Sequence, residues 1–236
     1  MPDAEGCCVA IPTVDREEYL REAIASVLRQ TRRDLRCLVV DNGETGVARR
    51  VVDSFPDPRL SYHRNERRLS MAENWNRCVA LAGDAHLLLL HDDDLLLPDF
   101  LERATGVLAR RPDVAMVCGS VEIVGPKGEG RGVHRVAEAD AVVDGTALFA
   151  RLAQENFLRC PGVLVRRGVY AEVGGFDDVG FATDWGMWLR ACLAGDVALL
   201  ADPVAQYRVG YGSDTDRLMT VRGALQRVES EEKALA

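Results

Sequence analysis

The chain has 236 residues, 47% hydrophobic and 28% charged, and its 37 acidic against 29 basic side chains leave a formal charge of −8. This is a globular composition that excludes disordered and fibrous classes, and the length suits one large domain. The acidic balance argues against nucleic acid as a partner, whereas a phosphate-bearing small ligand stays open, because a bound divalent cation can invert the local field.

Along the chain, short apolar runs at Cys7–Ile11, Cys37–Val40 and Leu87–Leu90 predict strands. Between them the spacing is helical. Tyr19, Leu20, Ala23, Ile24, Val27 and Leu28 recur at three and four, a weaker helix is expected from Thr45 through Phe55, and another runs from Ser70 to Ala82. Strand–helix alternation of this length implies crossover connections and a parallel sheet, with ligands bound beyond the carboxyl ends of its strands. The loops after Ile11, Val40 and Leu90 are therefore where chemistry is expected. A helix follows Pro98 and stops before Arg111–Pro112, Val114 to Val124 reads as a strand, and the glycines from 125 to 132 predict a loop leading into a hairpin. Asp144–Gln154 and Trp185–Ala194 read as helices, Val197–Leu200 as a strand, and the charged tail from Asp216 as helical. Nothing divides the chain, so a single domain is expected.

No run approaches the roughly 18 apolar residues of a membrane helix. The longest, Ala85 to Leu97, is interrupted by His91 and three acids. The start, Met1 to Gly6, lacks the order of a signal peptide. The seven cysteines are scattered without a C-x-x-C pair, which argues against a disulfide framework or a zinc site. A cytoplasmic location is the expectation.

The strongest chemical signal is His91-Asp92-Asp93-Asp94 at the exit of an apolar strand. Adjacent carboxylates repel one another unless something positive joins them, and a hard divalent ion that also touches a diphosphate would do so. The plainer alternative is acidic dressing of the helix after Pro98. On an extended backbone Asp92 and Asp94 would point one way and Asp93 the other. Asp41-Asn42-Gly43 follows the second strand at the same edge, where a carboxylate can meet a base or ribose; an ordinary turn is equally consistent. Ile11-Pro12-Thr13 ends the first strand there too, with a helix-capping loop as the plain reading. Trp75, Trp185 and Trp188 sit at helical spacing and are expected in the core. Arg64, Arg67 and Arg68 read as a solvated basic face, and the four histidines show no metal-ligand spacing.

These segments, in this order, resemble the inverting family-two glycosyltransferases of GT-A fold, over about Cys7 to Ser213. Ile11-Pro12-Thr13, Tyr19-Leu20, Gln30-Thr31 and Val39-Val40-Asp41-Asn42-Gly43 resemble that family's nucleotide-binding half, followed by Asn74-Trp75-Asn76-Arg77 and the DxD-like run Leu90 to Asp94. Arg166-Arg167, Gly174-Gly175-Phe176-Asp177 and Asp184-Trp185 resemble its acceptor half. The resemblance implies an α/β fold with a Rossmann-like, mainly parallel sheet: about 1–98 for the nucleotide-sugar, about 99–213 for the acceptor, and 214–236 as a helical tail. It implies transfer of a sugar from a UDP-, dTDP- or GDP-sugar to a hydroxyl or amine of a saccharide, glycolipid or small molecule. By the same resemblance Asp184 is the general base, Asp93 and Asp94 hold Mg²⁺ or Mn²⁺, and Pro12, Thr13, Asp41, Asn74, Arg77, Asp92, Asp93, Asp94 and Arg208 contact the nucleotide-sugar. A homodimer is left open.

The chain departs from the pattern in Asn42, Glu44 and Thr183, and in Gly210, where a Tyr-Arg-x-His motif would carry its histidine. A non-catalytic nucleotide-sugar binder is one alternative. A sugar-phosphate nucleotidyltransferase is another, disfavoured because Ile11 to Arg21 has no glycine to cradle phosphates. Donor base, sugar and acceptor are not legible.

Overall fold

A computed structural model describes residues 6–179 and 182–210. The first half alternates strand and helix: β1 (Cys7–Thr13), α1 (Glu17–Leu28), β2 (Leu35–Asp41), α2 (Val47–Asp53), β3 (Leu60–Arg64), α3 (Met71–Ala82) and β4 (His86–Leu89). Then come β5 (Leu95–Leu96), α4 (Phe100–Arg110), β6 (Val114–Val124), β7 (Gly130–His134), β8 (Ala141–Val143), α5 (Gly145–Leu152), a 3₁₀ turn at Cys160–Gly162, β9 (Val163–Arg166), α6 (Arg167–Val173), α7 (Thr183–Cys192) and β10 (Asp196–Arg208).

One sheet runs through the described residues in the order β3-β2-β1-β4-β9-β6-β10-β5, with β7 on β6 and β8 on β10. The four strands β3, β2, β1 and β4 are parallel, as are β6 and β10. The second half also contributes antiparallel partners, with β9 wedged between β4 and β6. The sheet is therefore mixed and mainly parallel.

Period-two alternation explains how the sheet serves two cores. In β1, Cys7, Val9 and Ile11 join the apolar cluster under α1, α2 and α4. Cys8 and Ala10 join the opposite cluster with α3, α5 and α7. Helix α1 buries Leu20, Ala23, Ile24 and Val27, the stripe its spacing predicts. Helix α3 starts with a capping box: Ser70 accepts from the Glu73 N–H while the Glu73 carboxylate takes the Ser70 N–H. Trp185 and Trp188 are core residues as expected, Trp188 without any exposed surface. All seven cysteines are buried and unpaired.

Several elements escape the sequence pattern. β3 is a half-buried edge strand with no clean alternation. β9 contributes only Val163, Leu164 and Val165 to the interior and is too short to register by periodicity. β10 runs far beyond the expected Val197–Leu200, because register shifts around Pro203 let it continue past a residue that cannot donate to the ladder. The backbone at 91–94 is a turn closed by Asp94 N–H to the His91 carbonyl at 3.2 Å, so the expected extended alternation of the three acids does not occur. The predicted tail helix from Asp216 lies outside the described residues.

Candidate active site at the carboxyl edge of the sheet

Three parallel strands deliver their ends to one place. Thr13 pairs with Asp41 across β1 and β2, and the Leu90 N–H donates to the Ala10 carbonyl, so the acid turn leaves β4 beside the end of β1. The Thr13 hydroxyl donates to Asp92 Oδ2 at 2.6 Å. Arg16, three residues further along the same loop, places Nη1 3.3 Å from Asp92 Oδ1 and 2.8 Å from Asp93 Oδ2. Because the backbone turns, Asp92 and Asp93 share this guanidinium, while Asp94 points inward and is 1% exposed.

The electrostatics follow from burial. Asp92 is pushed up to about 7 by loss of water and by the neighbouring Asp93, against the pull of Arg16 and Thr13. Burial and Asp93 also drive Asp94 well above the usual carboxylate range. Asp94 Oδ1 accepts the Arg208 N–H at 2.9 Å, whereas Oδ2 is buried without a hydrogen-bond partner among the described residues. One ligand atom each from His91, Asp93 and Asp94 lies within 4.8 Å of the others. An orphaned carboxylate oxygen inside such a donor set fits a divalent cation.

Arg208 is not turned outward. Its side chain is 3% exposed and donates to the Asp93 carbonyl at 2.9 Å, to the Pro126 carbonyl at 2.8 Å and to Glu22 at 2.6 Å, with its guanidinium over the Tyr19 ring. In this conformation it braces the acid turn from beneath, rather than presenting donors to a phosphate as the sequence suggested. Arg208→Met is expected to lower the unfolding free energy by about 1–3 kcal/mol, because it strands the buried Asp93 carbonyl and removes the bond to the part-buried Pro126 carbonyl, the exposed Glu22 being rehydrated. A urea titration checks this; a loss below about 1 kcal/mol would mean that the brace is dispensable.

Beside the turn, Asp41 is fully buried and accepts from Tyr62 Oη at 2.7 Å and from the Gly43 N–H at 2.8 Å. Gly43 permits a close approach, since a Cβ there would overlap the Asp15 carboxylate. Asp15 sits at a positive φ of 53° and receives the Glu44 and Thr45 N–H groups, tying the β1 loop to the β2 loop. Asn42, Asn65 and Asn74 form an amide chain, Asn65 Nδ2 donating at 3.0 Å to Asn42 Oδ1 and at 2.8 Å to Asn74 Oδ1. Next to it a cleft of about 440 Å³ opens between Asn42–Glu44 and Arg64–Arg68, so the basic cluster lines a concavity rather than a plain solvated face. Pro12 is buried within the β1–β2 pairing opposite Val40. Arg77 is exposed on α3 and engages His63 at 3.3 Å, apart from the acid turn.

Asp184 enters from the other half, in the first turn of α7, where its Oδ1 takes the Trp185 N–H at 2.7 Å. It is half-buried, and removal from water raises its carboxyl from the ordinary 3.8 to about 6. The buried Cys160 links it to the acid turn. The thiol donates to the Leu89 carbonyl at 3.4 Å and feels the charges of Asp184, Asp94 and Asp93 together. The structure thus brings Thr13, Asp41, Asp92, Asp93 and Asp94 to one edge of the sheet, whereas Asp184 comes near them only in that its charge, like those of Asp93 and Asp94, reaches Cys160. Arg16 is the residue that sequence reasoning passed over, and His91 was singled out there only as a neighbour of the acids, without a metal-ligand spacing.

The family model for Glycosyl transferase family 2 matches residues 8–174. An uncharacterized protein of Mycobacterium tuberculosis is 27% identical over 91% of this chain and 70% of its own length. An uncharacterized glycosyltransferase of Methanocaldococcus jannaschii is 28% identical over 48% of this chain and 40% of its own. Among solved structures, residues 1–349 of S. aureus TarS in complex with UDP-GlcNAc superpose with a TM-score of 0.74 at 18% identity, over 89% of this chain and 60% of that one. A mannosyltransferase from Pyrobaculum calidifontis in complex with GDP-Man and Mn²⁺ gives 0.70 at 20% identity, over 97% and 64%. The chain therefore spans less than two thirds of either solved chain. No helix among the described residues is long and apolar enough to cross a membrane. The sheet shares the GT-A architecture of these solved structures, and a family match over most of the length makes this chain a member of glycosyl transferase family 2.

Proposed function

We propose that the protein transfers a sugar from a nucleotide-diphosphate sugar to an acceptor hydroxyl or amine, with inversion at the anomeric carbon. The observation that carries this reading is Asp184, a carboxylate in the first turn of α7 that burial raises to about 6 and whose charge, like those of Asp93 and Asp94, reaches Cys160. Such a group is mostly ionised at neutral pH yet basic enough to take a proton. As the acceptor atom bonds to the anomeric carbon, its proton passes to Asp184. The bond from that carbon to the diphosphate oxygen breaks, and its electron pair leaves with the nucleoside diphosphate. One displacement inverts configuration and needs no second carboxylate as nucleophile.

Asp93 and Asp94 would hold Mg²⁺ or Mn²⁺, which when bound neutralises charge on the leaving diphosphate. Thr13 and Asp41, at paired strand ends, meet the nucleoside, and the cleft beside Asn42 receives its base. Asp92 sits where ribose or diphosphate passes, and Pro12 and the Asn42–Asn65–Asn74 chain keep these loops in place. Arg16 moves from the carboxylates to a phosphate oxygen when the donor arrives. Arg77 stays at the rim, and Arg208 acts through the acid turn. The chain works as one domain, with donor residues in about 1–98 and acceptor residues in about 99–213. A cytoplasmic setting and a saccharide, glycolipid or small-molecule acceptor fit this arrangement.

The test is a thermal-shift series with UDP, dTDP and GDP, each with and without Mn²⁺ or Mg²⁺. A ligand that binds only the folded state raises the melting temperature by mass action. A metal-dependent shift is expected with one base above the others. The absence of a shift with every nucleotide and metal would overturn the reading.

A further inference from the structure

We propose that the imidazole of His91 is a direct nitrogen ligand of the divalent cation, so that the site is built for Mn²⁺-like ions rather than for Mg²⁺. This rests on the reading of the acid turn as the metal site and goes beyond it in naming the third ligand and the class of metal. The argument begins with geometry. His91 Nδ1 lies 3.9 Å from Asp94 Oδ2, too far for a hydrogen bond. Two donors each about 2.2 Å from one ion stand about 3.1 Å apart at a right angle and about 3.8 Å apart at 120°. The His91–Asp94 separation already matches a shared ion. The donor atoms of His91, Asp93 and Asp94 fall within 4.8 Å of one another, a spread that small side-chain rotations close.

Asp94 adds an independent sign. It is 1% exposed and its Oδ2, the atom facing His91, has no hydrogen-bond partner among the described residues. A buried carboxylate oxygen left in this way is costly, and a cation between it and a neutral imidazole removes the cost. The ring is also held in advance. It stacks on Trp75 at 5.0 Å between centroids and 29° between planes, and Trp75 in turn meets the edge of Phe176 at 5.2 Å. A ligand fixed by packing loses little freedom on coordination, as sites with supported first ligands require. The donor set of one nitrogen and two carboxylates decides the preference. Mg²⁺ takes oxygen ligands, whereas an imidazole moves a site toward the first-row transition ions, of which Mn²⁺ is the one that also suits carboxylates.

Pulsed EPR of the full chain loaded with Mn²⁺, alone and with UDP, tests the assignment. We expect a nitrogen coupling of a directly bound imidazole that changes when the protein is labelled with ¹⁵N-histidine and disappears in His91→Gln. In His91→Gln the affinity for Mn²⁺, read from the free-ion signal, is expected to fall about tenfold or more. Mg²⁺ binding should change less than twofold. The labelled wild type needs no substitution, so a misfolded variant cannot hide the answer. Mn²⁺ binding that is lost in Asp93→Asn but shows no histidine coupling overturns the role of His91 and leaves the acid turn as the metal site. Mn²⁺ binding unchanged in Asp93→Asn overturns both.

Discussion

Asp184→Asn is expected to lower the turnover number by about 10²–10⁴, the usual worth of a positioned general base, while the metal-dependent shift with nucleoside diphosphate stays intact. Initial-rate kinetics with the donor that the thermal-shift series selects would measure it. Turnover within a factor of three of wild type would remove Asp184 from the chemistry. The pH dependence supplies a second check, because burial holds the carboxyl near 6 and only its ionised form accepts a proton. Wild-type kcat/KM should climb as pH rises through about 6 and then level, and the variant should lose that limb. Stability moves in the opposite sense. The folded value lies above the ordinary 3.8, so the stabilisation from the protonated acid is complete below about 3.8 and lost as pH rises through about 6. Asn keeps a neutral group at every pH. The variant should therefore melt close to wild type at pH 4 and higher than wild type at pH 8.

Asp93→Asn should abolish the metal-dependent thermal shift and reduce turnover by about 10²–10³, since charge stabilisation of a leaving diphosphate is worth several kcal/mol. The substitution also removes a partner of Arg16, which binds Asp93 Oδ2 at 2.8 Å, and relieves the repulsion that raises Asp92 and Asp94. The fold itself should survive, because Arg208 grips the Asp93 backbone carbonyl rather than its side chain. Calorimetry with Mn²⁺ and circular dichroism would separate lost binding from lost structure. A fully retained metal-dependent shift would refute the role of Asp93.

Much of the first half of the chain is legible in the sequence, because each of its signals is local. The apolar runs at Cys7–Ile11 and Cys37–Val40, the helical stripe from Leu20 to Val27 and the cap at Ser70 can be read within a single window. That Thr13 and Asp41 lie side by side follows from parallel pairing of strands that end at the same edge. The second half reads less well. β9 is a four-residue strand with three buried positions, whose strand character comes from the antiparallel partners on both sides, and β10 holds together across Pro203 through pairing with β6 and β5. Tertiary partners set these elements, and no window contains them. The same holds for side-chain roles. Arg208 looked like a phosphate clamp by its place in a motif, yet Glu22 and the Pro126 carbonyl, distant in sequence, turn it inward. Extended-strand geometry mis-assigned the directions of the three acids because a single turn at His91 was invisible to periodicity. Arg16 and His91 acquire their significance from approach to carboxylates, which composition does not encode.

The burial of every thiol gives the molecule an internal clock for its own openings. A cysteine-specific alkylating reagent finds no sulfur at the surface, so each modification records an excursion that uncovers one. Cys160 lies against the Leu89 carbonyl at the junction of the two halves, whereas Cys7 and Cys37 lie deep in the α1 and α2 layer. Labelling at Cys160 ahead of the other two would time parting of the halves, and uniform labelling would report only global unfolding. If a nucleotide and its metal bind across that junction, they should slow the first of these rates selectively.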